Sequence, residues 1–292
     1  MRHGVLILPD RRWSEAQAKW VRAEELGFAH AWVYDHLMWR WLRDKPWFGA
    51  VPTLAAAAAA TSKIRLGTMV ASPTFRHPVT FAKDLMALDD ISDGRIICGF
   101  GAGNGAYDDM AMGADPFPPA ERMARFAEFV ELTDLLLSST ETSYRGAHFS
   151  AHEVSMHPGC VQRPRIPFAL AAAGQRSMRL AAKYAGIWVT TGTVGKPEPR
   201  PYALSLPLLQ AQSSALDQAC ADAGRDPSTL RRLVLAGGMI SGVLESAGSF
   251  ADASGMFEEI GFTDLVIHWP RSEFPYQGSE KILEEISPHL QN

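Results

Sequence analysis

Eight short apolar runs, each followed by a longer amphipathic stretch, constrain this chain more than any other feature. The strand candidates are Val5–Leu8, Ala31–Tyr34, Ile64–Val70, Ile96–Phe100, Phe168–Ala172, Ile187–Thr190, Leu233–Ala236 and Asp264–His268. Between them lie helix-like segments at Ser14–Leu26, Pro78–Ile91, Ala120–Leu137, Arg176–Tyr184, Leu206–Ala223, Phe250–Ile260 and Ser279–Leu290. Strands alternating with helices imply a parallel sheet with helical crossovers. Eight such units in 292 residues favour a closed (β/α)8 TIM barrel, a single domain over residues 1–292, rather than an open doubly wound sheet. In such barrels the chemistry sits at the C-terminal ends of the strands, so the residues just after each strand are the ones to read.

Local signals sharpen some boundaries. Ser14 reads as an N-cap with Gln17 three residues on and Gly27 as the stop. Met123, Phe126, Val130, Leu132 and Leu136 recur at near-helical spacing. The Ala55–Ala60 run reads as a buried helix. Thr140–Pro167 breaks the rhythm, being rich in turn residues, and reads as an inserted hairpin or loop. Thr191–Pro207 is a second irregular stretch, and both are candidates for lids over the barrel mouth.

Charge and cysteine usage exclude several function classes. The net charge is −4 and no Lys/Arg run occurs, against a nucleic-acid or membrane-surface partner. Cys98, Cys160 and Cys220 are far apart and form no C-x-x-C, which suits a reducing cytoplasm and gives no zinc site. No run approaches the roughly eighteen apolar residues of a membrane span, and the N-terminal MRHGVLILPD lacks a signal-peptide pattern. These features predict a soluble cytoplasmic protein.

The strand ends carry a mixture of polar, tiny and aromatic residues that suits a flat aromatic ligand and a small-molecule substrate. Strand two ends in Tyr34-Asp35-His36, followed by Trp39 and Trp41, and strand eight ends in His268-Trp269. His36 has a structural reading, a ring satisfied by a backbone carbonyl, and a functional one, a proton donor or acceptor near neutral pH. Gly174-Gln175-Arg176 lies where a loop enters a helix, either a phosphate site at a helix N-terminus or a plain glycine turn. His148, His152 and His157 with Glu153 lack H-E-x-x-H spacing, and no metal is expected. No nucleophile elbow or phosphate-binding P-loop motif is present.

The stretch ICGFGAGNGAYDDMAMG, Ile97–Gly113, contains a G-x-G-x-x-G/A pattern from Gly101 to Ala106. A dinucleotide fingerprint needs an immediate helix and an acid ending the next strand. Here a loop with three prolines is expected after Gly105, and the acid about twenty residues on is Glu121 near a helix start. The dinucleotide reading fails on context, and the glycines read as a bared strand end.

Two blocks carry a resemblance. RLGTMVASPTFRHPVTFAKDLMALDDISDGRIICGFGAGN, Arg65–Asn104, resembles the signature of the bacterial luciferase-like monooxygenase superfamily, with L-G-T, R-x-P, an S-x-G-R-type step and a glycine-rich strand end. IPFALAAAGQRSMRLAAKYAGIWVT resembles the family's later motif. The resemblance implies a (β/α)8 barrel with an inserted segment, binding FMN or coenzyme F420 at its C-terminal mouth. Asp35-His36 resembles the deazaflavin-dependent branch, which implies coenzyme F420 as cofactor, with His36 by the reactive face of the ring and a non-proline cis peptide at Met69–Val70.

The resemblance also assigns residues. Met69, Val70, Ala71, Gly101, Ala102, Gly103 and Asn104 would contact the ring, and Ala173, Gly174, Gln175 and Arg176 the phosphate end. Asp35, His36 and Asn104 become catalytic candidates, and Trp39, Trp41, His268 and Trp269 candidates for the substrate pocket. Sugar-phosphate dehydrogenases of this branch carry a glutamate after the glycine run. This chain has Asn104, which cannot exchange a proton at neutral pH. The expected activity is therefore an F420H2-dependent reduction of a small metabolite such as an imine or activated alkene. The alternatives are an FMN-dependent two-component monooxygenase supplied by a separate reductase, a non-catalytic flavin-binding protein, and a metal- or NAD-dependent barrel enzyme. A homo-oligomer is implied by resemblance alone.

Overall fold

The computed structural model describes residues 1–103, 106–193 and 198–290. The elements run β1 (Arg2–Leu6), α1 (Trp13–Leu26), β2 (His30–Val33), α2 (Ala50–Ala60), β3 (Arg65–Thr68), α3 (Pro78–Ile91), β4 (Ile96–Phe100), α4 (Ala106–Ala111) and α5 (Pro119–Ser138). Then come β5 (Glu141–Arg145), β6 (Ser150–Ser155), β7 (Phe168–Ala171), α6 (Gln175–Tyr184), β8 (Ile187–Thr190), β9 (Arg200–Pro201) and α7 (Tyr202–Asp222). The chain finishes with β10 (Arg231–Leu235), β11 (Ile240–Ser241), α8 (Ala247–Glu259), β12 (Asp264–His268) and α9 (Lys281–Leu290). Strands β1, β2, β3, β4, β7, β8, β10 and β12 close a parallel barrel in that order, as expected for a (β/α)8 fold. No described helix is long and apolar enough to cross a membrane.

Two compact units make up the chain: Met1–Leu8 with Lys19–Trp32 and Ala169–Asn292, and Pro9–Ala18 with Val33–Phe168. The second unit is packed around Phe81, Phe100, Phe126, Phe129 and Phe168, all fully buried. Phe100 meets Phe168 edge-on at 4.7 Å, and Phe81 stacks on Phe129 at 6.1 Å, geometries that aromatic quadrupoles favour. Proline opens α3 at its first turn, where the missing N–H has no helical partner to lose.

The irregular stretch after α5 is an antiparallel hairpin, β5 with β6, as expected for residues 140–167. Glu128 on α5 holds it. Its carboxylate accepts the backbone N–H groups of His148 and Phe149, each at 2.9 Å. Gly146 is required there, since a Cβ at that position would lie 1.5 Å from Glu128 Oε1. His152 and Glu153 on β6 are exposed, and no metal-ligating group is found among the described residues.

Three expectations need correction. α1 starts at Trp13, so Ser14 lies inside the first turn and is not the N-cap. α7 begins at Tyr202, with Pro207 in its sixth position rather than near its start, so the stretch expected to be irregular up to Pro207 is partly helical. The region after Gly105 is not a plain loop, because α4 follows at once over Ala106–Ala111. Six residues are too few for helical periodicity to be read from sequence, and such a helix needs tertiary partners to persist. The dinucleotide fingerprint is nonetheless ruled out, because the sheet is a closed barrel and not the open, doubly wound one that the fingerprint serves.

In the first unit the strand starts converge on one buried carboxylate. Asp264, the first residue of β12, has no solvent exposure. It accepts from His30 Nε2 at 3.0 Å and Arg2 Nε at 3.2 Å, and it is paired closely with Arg231. Trp32 Nε1 donates to His30 Nδ1 at 2.7 Å, which leaves the His30 proton on Nε2 facing Asp264. Burial works to raise the Asp264 pKa, but the hydrogen bonds from His30 and Arg231 outweigh it and hold the group far below the usual carboxylate range. Gly4 lies against this cluster, since a Cβ there would sit 2.0 Å from His30 Nδ1.

Asp264→Asn strips the charge from this cluster while leaving two arginines in it. It is expected to destabilise the fold by about 3–5 kcal/mol at neutral pH, read by urea denaturation. Because the folded-state pKa is depressed, the stabilisation is complete above the unfolded value and is lost on acidification. The gap between native protein and variant should narrow as pH falls below about 4. A gap that stays constant from pH 7 to pH 3 would remove the assigned role.

Candidate functional site

The end of β2 delivers Tyr34, Asp35 and His36 in sequence. Asp35 is 2% exposed, and a carboxylate at that depth needs a charged partner. Arg76 supplies it as a two-pronged pair, Nε to Oδ2 at 2.5 Å and Nη2 to Oδ1 at 2.7 Å. The guanidinium lies 4.6 Å from the Phe81 ring centroid. With both oxygens held, Asp35 anchors the backbone that carries His36. Both carboxylate oxygens of this catalytic candidate are thus engaged by Arg76.

His36 is half-buried. Its Nδ1 lies 2.7 Å from Asp108 Oδ2, and the Leu37 N–H donates to Asp108 Oδ1 at 2.9 Å. Trp47 Nε1 donates to the His36 carbonyl at 2.9 Å. Asp108 sits on α4, the helix that sequence reading missed, and it is the functional candidate that was missed with it. The only signal was the acidic pair in AYDDMAMG. Its neighbour Asp109 has a raised pKa, from burial first and then from the Asp108 charge.

Aromatic rings surround the imidazole. Trp39 stacks on Tyr34 at 4.8 Å and lies 5.0 Å from the His36 ring. Trp47 stacks on Trp39 at 6.0 Å, and Trp41 meets Trp39 edge-on at 5.7 Å. Trp39 Nε1 is buried and has no hydrogen-bond partner among the described residues. Trp41 is more exposed, at 37%. The structure therefore places Trp39 against His36 and Trp41 against Trp39.

The ends of β3 and β4 lock together. Thr68 Oγ1 accepts from the Gly99 N–H at 3.0 Å and donates to the Gly99 carbonyl at 2.9 Å. Past the strand end, the Met69–Val70 peptide is cis, as the resemblance implied. Ala71 then donates to the Gly99 carbonyl, and Gly101 to the Ala71 carbonyl, both at 2.8 Å. Met69, Ala71 and Gly101 are buried, whereas Val70, Ala102 and Gly103 are partly exposed. Asn104 lies outside the described residues.

These contacts refine the bared-strand reading of the glycines. A Cβ at Gly99 would lie 1.9 Å from the Thr68 carbonyl oxygen, so this glycine serves strand-to-strand approach rather than a ligand. Gly103 has φ +73° and would place a Cβ 2.7 Å from Thr74 Oγ1, so backbone conformation and a neighbouring hydroxyl both demand it.

The remaining candidates belong to the other unit. Gly174 caps α6, with its N–H donating to Ser177 Oγ at 3.2 Å and its carbonyl accepting from the same hydroxyl at 2.9 Å. Ala173, Gly174, Gln175 and Arg176 are exposed, and nothing lies within 4 Å of where a Gly174 Cβ would be. An exposed helix N-terminus beside an arginine is able to hold an anion.

His268 is buried and ends β12. Its Nδ1–H donates to the Ala236 carbonyl at 2.9 Å, and its ring stacks on Tyr276 at 3.5 Å. Burial pushes its pKa down to about 3, so the ring stays neutral at physiological pH. Trp269 is 5% exposed, with its Nε1 lacking a partner among the described residues and Lys19 Nζ 5.7 Å from its ring centroid.

The chain is 31% identical over 209 residues to the F420-dependent glucose-6-phosphate dehydrogenase of Microbacterium testaceum, covering 70% of this chain and 58% of that protein. It is 32% identical over 228 residues to the F420-dependent hydroxymycolic acid dehydrogenase of Mycobacterium tuberculosis, covering 76% of this chain and 56% of that one. The chain thus spans little more than half the length of these curated relatives. The coenzyme F420-dependent tetrahydromethanopterin reductase of Methanopyrus kandleri superposes with a TM-score of 0.79 over 99% of both chains at 20% identity, a likeness of fold. Residues 1–241 match the family model described as luciferase-like monooxygenase, and the chain belongs to that family.

Proposed function

We propose that this protein is an F420-dependent oxidoreductase that moves a hydride between the reduced deazaflavin and a small organic substrate. The observation that carries the reading is the match to F420-dependent dehydrogenases across 70–76% of the chain. The residues at the β2 end are compatible with such a cofactor. Trp39 offers a buried indole N–H with no acceptor among the described residues, and beside it stands a partly exposed imidazole. When bound, F420H2 supplies a hydride and does not activate oxygen.

The chain's own residues do the rest. Nδ1 of His36 is engaged by Asp108, so Nε2 is the nitrogen that exchanges a proton with substrate. The Asp35–Arg76 pair keeps that ring in register with the strand end, and the tryptophans exclude water around it. In the other unit, the exposed N-terminus of α6 at Gly174–Arg176 would hold an anionic group.

The favoured substrate is an imine or activated alkene rather than a sugar phosphate, because Asn104 replaces a proton-exchanging acid. We read the enzyme as a cytoplasmic homo-oligomer whose cofactor is reduced by a separate enzyme. The buried free thiols of Cys98, Cys160 and Cys220 suit that compartment.

Titration of the purified protein with F420 and with FMN, followed by fluorescence, tests the cofactor. F420 is expected to bind and FMN to bind at least tenfold more weakly. Tighter binding of FMN would favour the two-component monooxygenase, and binding of neither would sink the proposal. His36→Asn should leave the F420 Kd within about threefold while slowing F420H2 oxidation, across a panel of imines and enones, by about 100-fold or more. Full turnover in that variant would remove the role of His36. Arg76→Lys keeps the charge but loses the fork, and should lower stability to urea by about 2–4 kcal/mol because Asp35 stays buried.

A further inference from the structure

Each carboxylate oxygen of Asp108 has its own donor, and both donors come from adjacent residues. Oδ2 faces His36 Nδ1 at 2.7 Å, and Oδ1 accepts the Leu37 N–H at 2.9 Å. A carboxylate only accepts hydrogen bonds, so the ring proton must reside on Nδ1. In the neutral imidazole, Nε2 then carries the lone pair, and it has no partner among the described residues. The Trp47 indole donates to the His36 carbonyl, and Trp39 and Tyr34 border the ring. Neither the ring nor its backbone is left to choose its own orientation.

We propose that Asp108 is a positioning residue, holding His36 in the Nδ1–H tautomer so that Nε2 is the nitrogen presented for proton exchange. The proposal rests on the catalytic reading of His36 given above. Asp108 acts only through the histidine and the Leu37 amide. The short helix α4 exists, in functional terms, to place this carboxylate: it supplies the acceptor that faces Nδ1 in a segment bordered by aromatic rings.

The substitution Asp108→Asn separates charge and tautomer from shape. The Leu37 N–H still requires an acceptor, so the amide oxygen stays with it. The amide NH2 then faces His36 Nδ1 and donates to it, which forces that nitrogen to accept and moves the proton to Nε2. Long-range proton–nitrogen correlation spectra of protein with 15N-labelled histidine read this directly. They would be recorded without cofactor at about pH 8.5, two units above the unperturbed histidine value, with His36→Gln identifying the His36 signals.

The native protein is expected to show a protonated Nδ1 and a bare Nε2, and Asp108→Asn the reverse. An Nε2–H tautomer in the native protein would overturn the proposal even if the variant fails to fold. So would an Nδ1–H tautomer that survives in a folded Asp108→Asn. Because this readout needs neither cofactor nor turnover, it stays distinct from the catalytic reading. Full turnover in His36→Asn would defeat that reading and leave the tautomer result standing.

Discussion

The demand that a buried carboxylate be paired shapes this molecule at both kinds of strand terminus. At the β2 end Asp35 is nearly inaccessible and is held by the fork of Arg76, which arrives from the loop after β3. Were that pair absent, a charge would be stranded in an apolar surround, and the chain would have to neutralise or expose it. Its presence ties two successive strand-to-helix loops together, and the next residue, His36, inherits a fixed origin. The aromatic box, the Asp108 contact and the Trp47 indole all reference that one anchored segment.

Much of the fold was legible because its signals are local and repeated. Eight apolar runs with helical spacers need no tertiary knowledge, and Ile96–Phe100, Ile187–Thr190 and Asp264–His268 have the bounds read from sequence. Ends that depend on hydrogen-bonding neighbours shifted instead. β1 reaches back to Arg2 because Arg2 lies opposite Asp264 in the β12 ladder, which its charged side chain does not announce. α7 runs through Pro207, a residue that pattern reading treats as a break, at the loss of one helical hydrogen bond in a helix of 21 residues.

The site was legible only in part, for a related reason. Asp35-His36 and the tryptophans stand next to one another in sequence, so their grouping needed no fold. Asp108 lies 72 residues from His36 on a six-residue helix, and no periodicity or spacing rule links the two. Arg76 sat in plain view within an R-x-P motif, but its task of pairing with Asp35 depends on burial, which sequence does not state. The glycines were read as room for a ligand. For Gly99 the nearest occupant proves to be the carbonyl of Thr68, so a glycine-rich strand end must be divided between barrel packing and binding before it is credited to either.

Two histidines show how far environment, rather than residue type, decides chemistry. His36 and His268 both stand at strand ends among tryptophans, and the sequence offers little to separate them. The ring of His268 is stacked on Tyr276 and bonded through Nδ1 to the Ala236 carbonyl, and its burial outweighs that bond and keeps it uncharged. The same nitrogen of His36 meets a carboxylate, and the ring is partly open to solvent. A carbonyl gives a positive ring only a dipole's support, whereas a carboxylate gives it a full opposite charge through a charge-assisted hydrogen bond. The second arrangement is the one that the proposed proton exchange calls for. Of these two rings, only His36 has it.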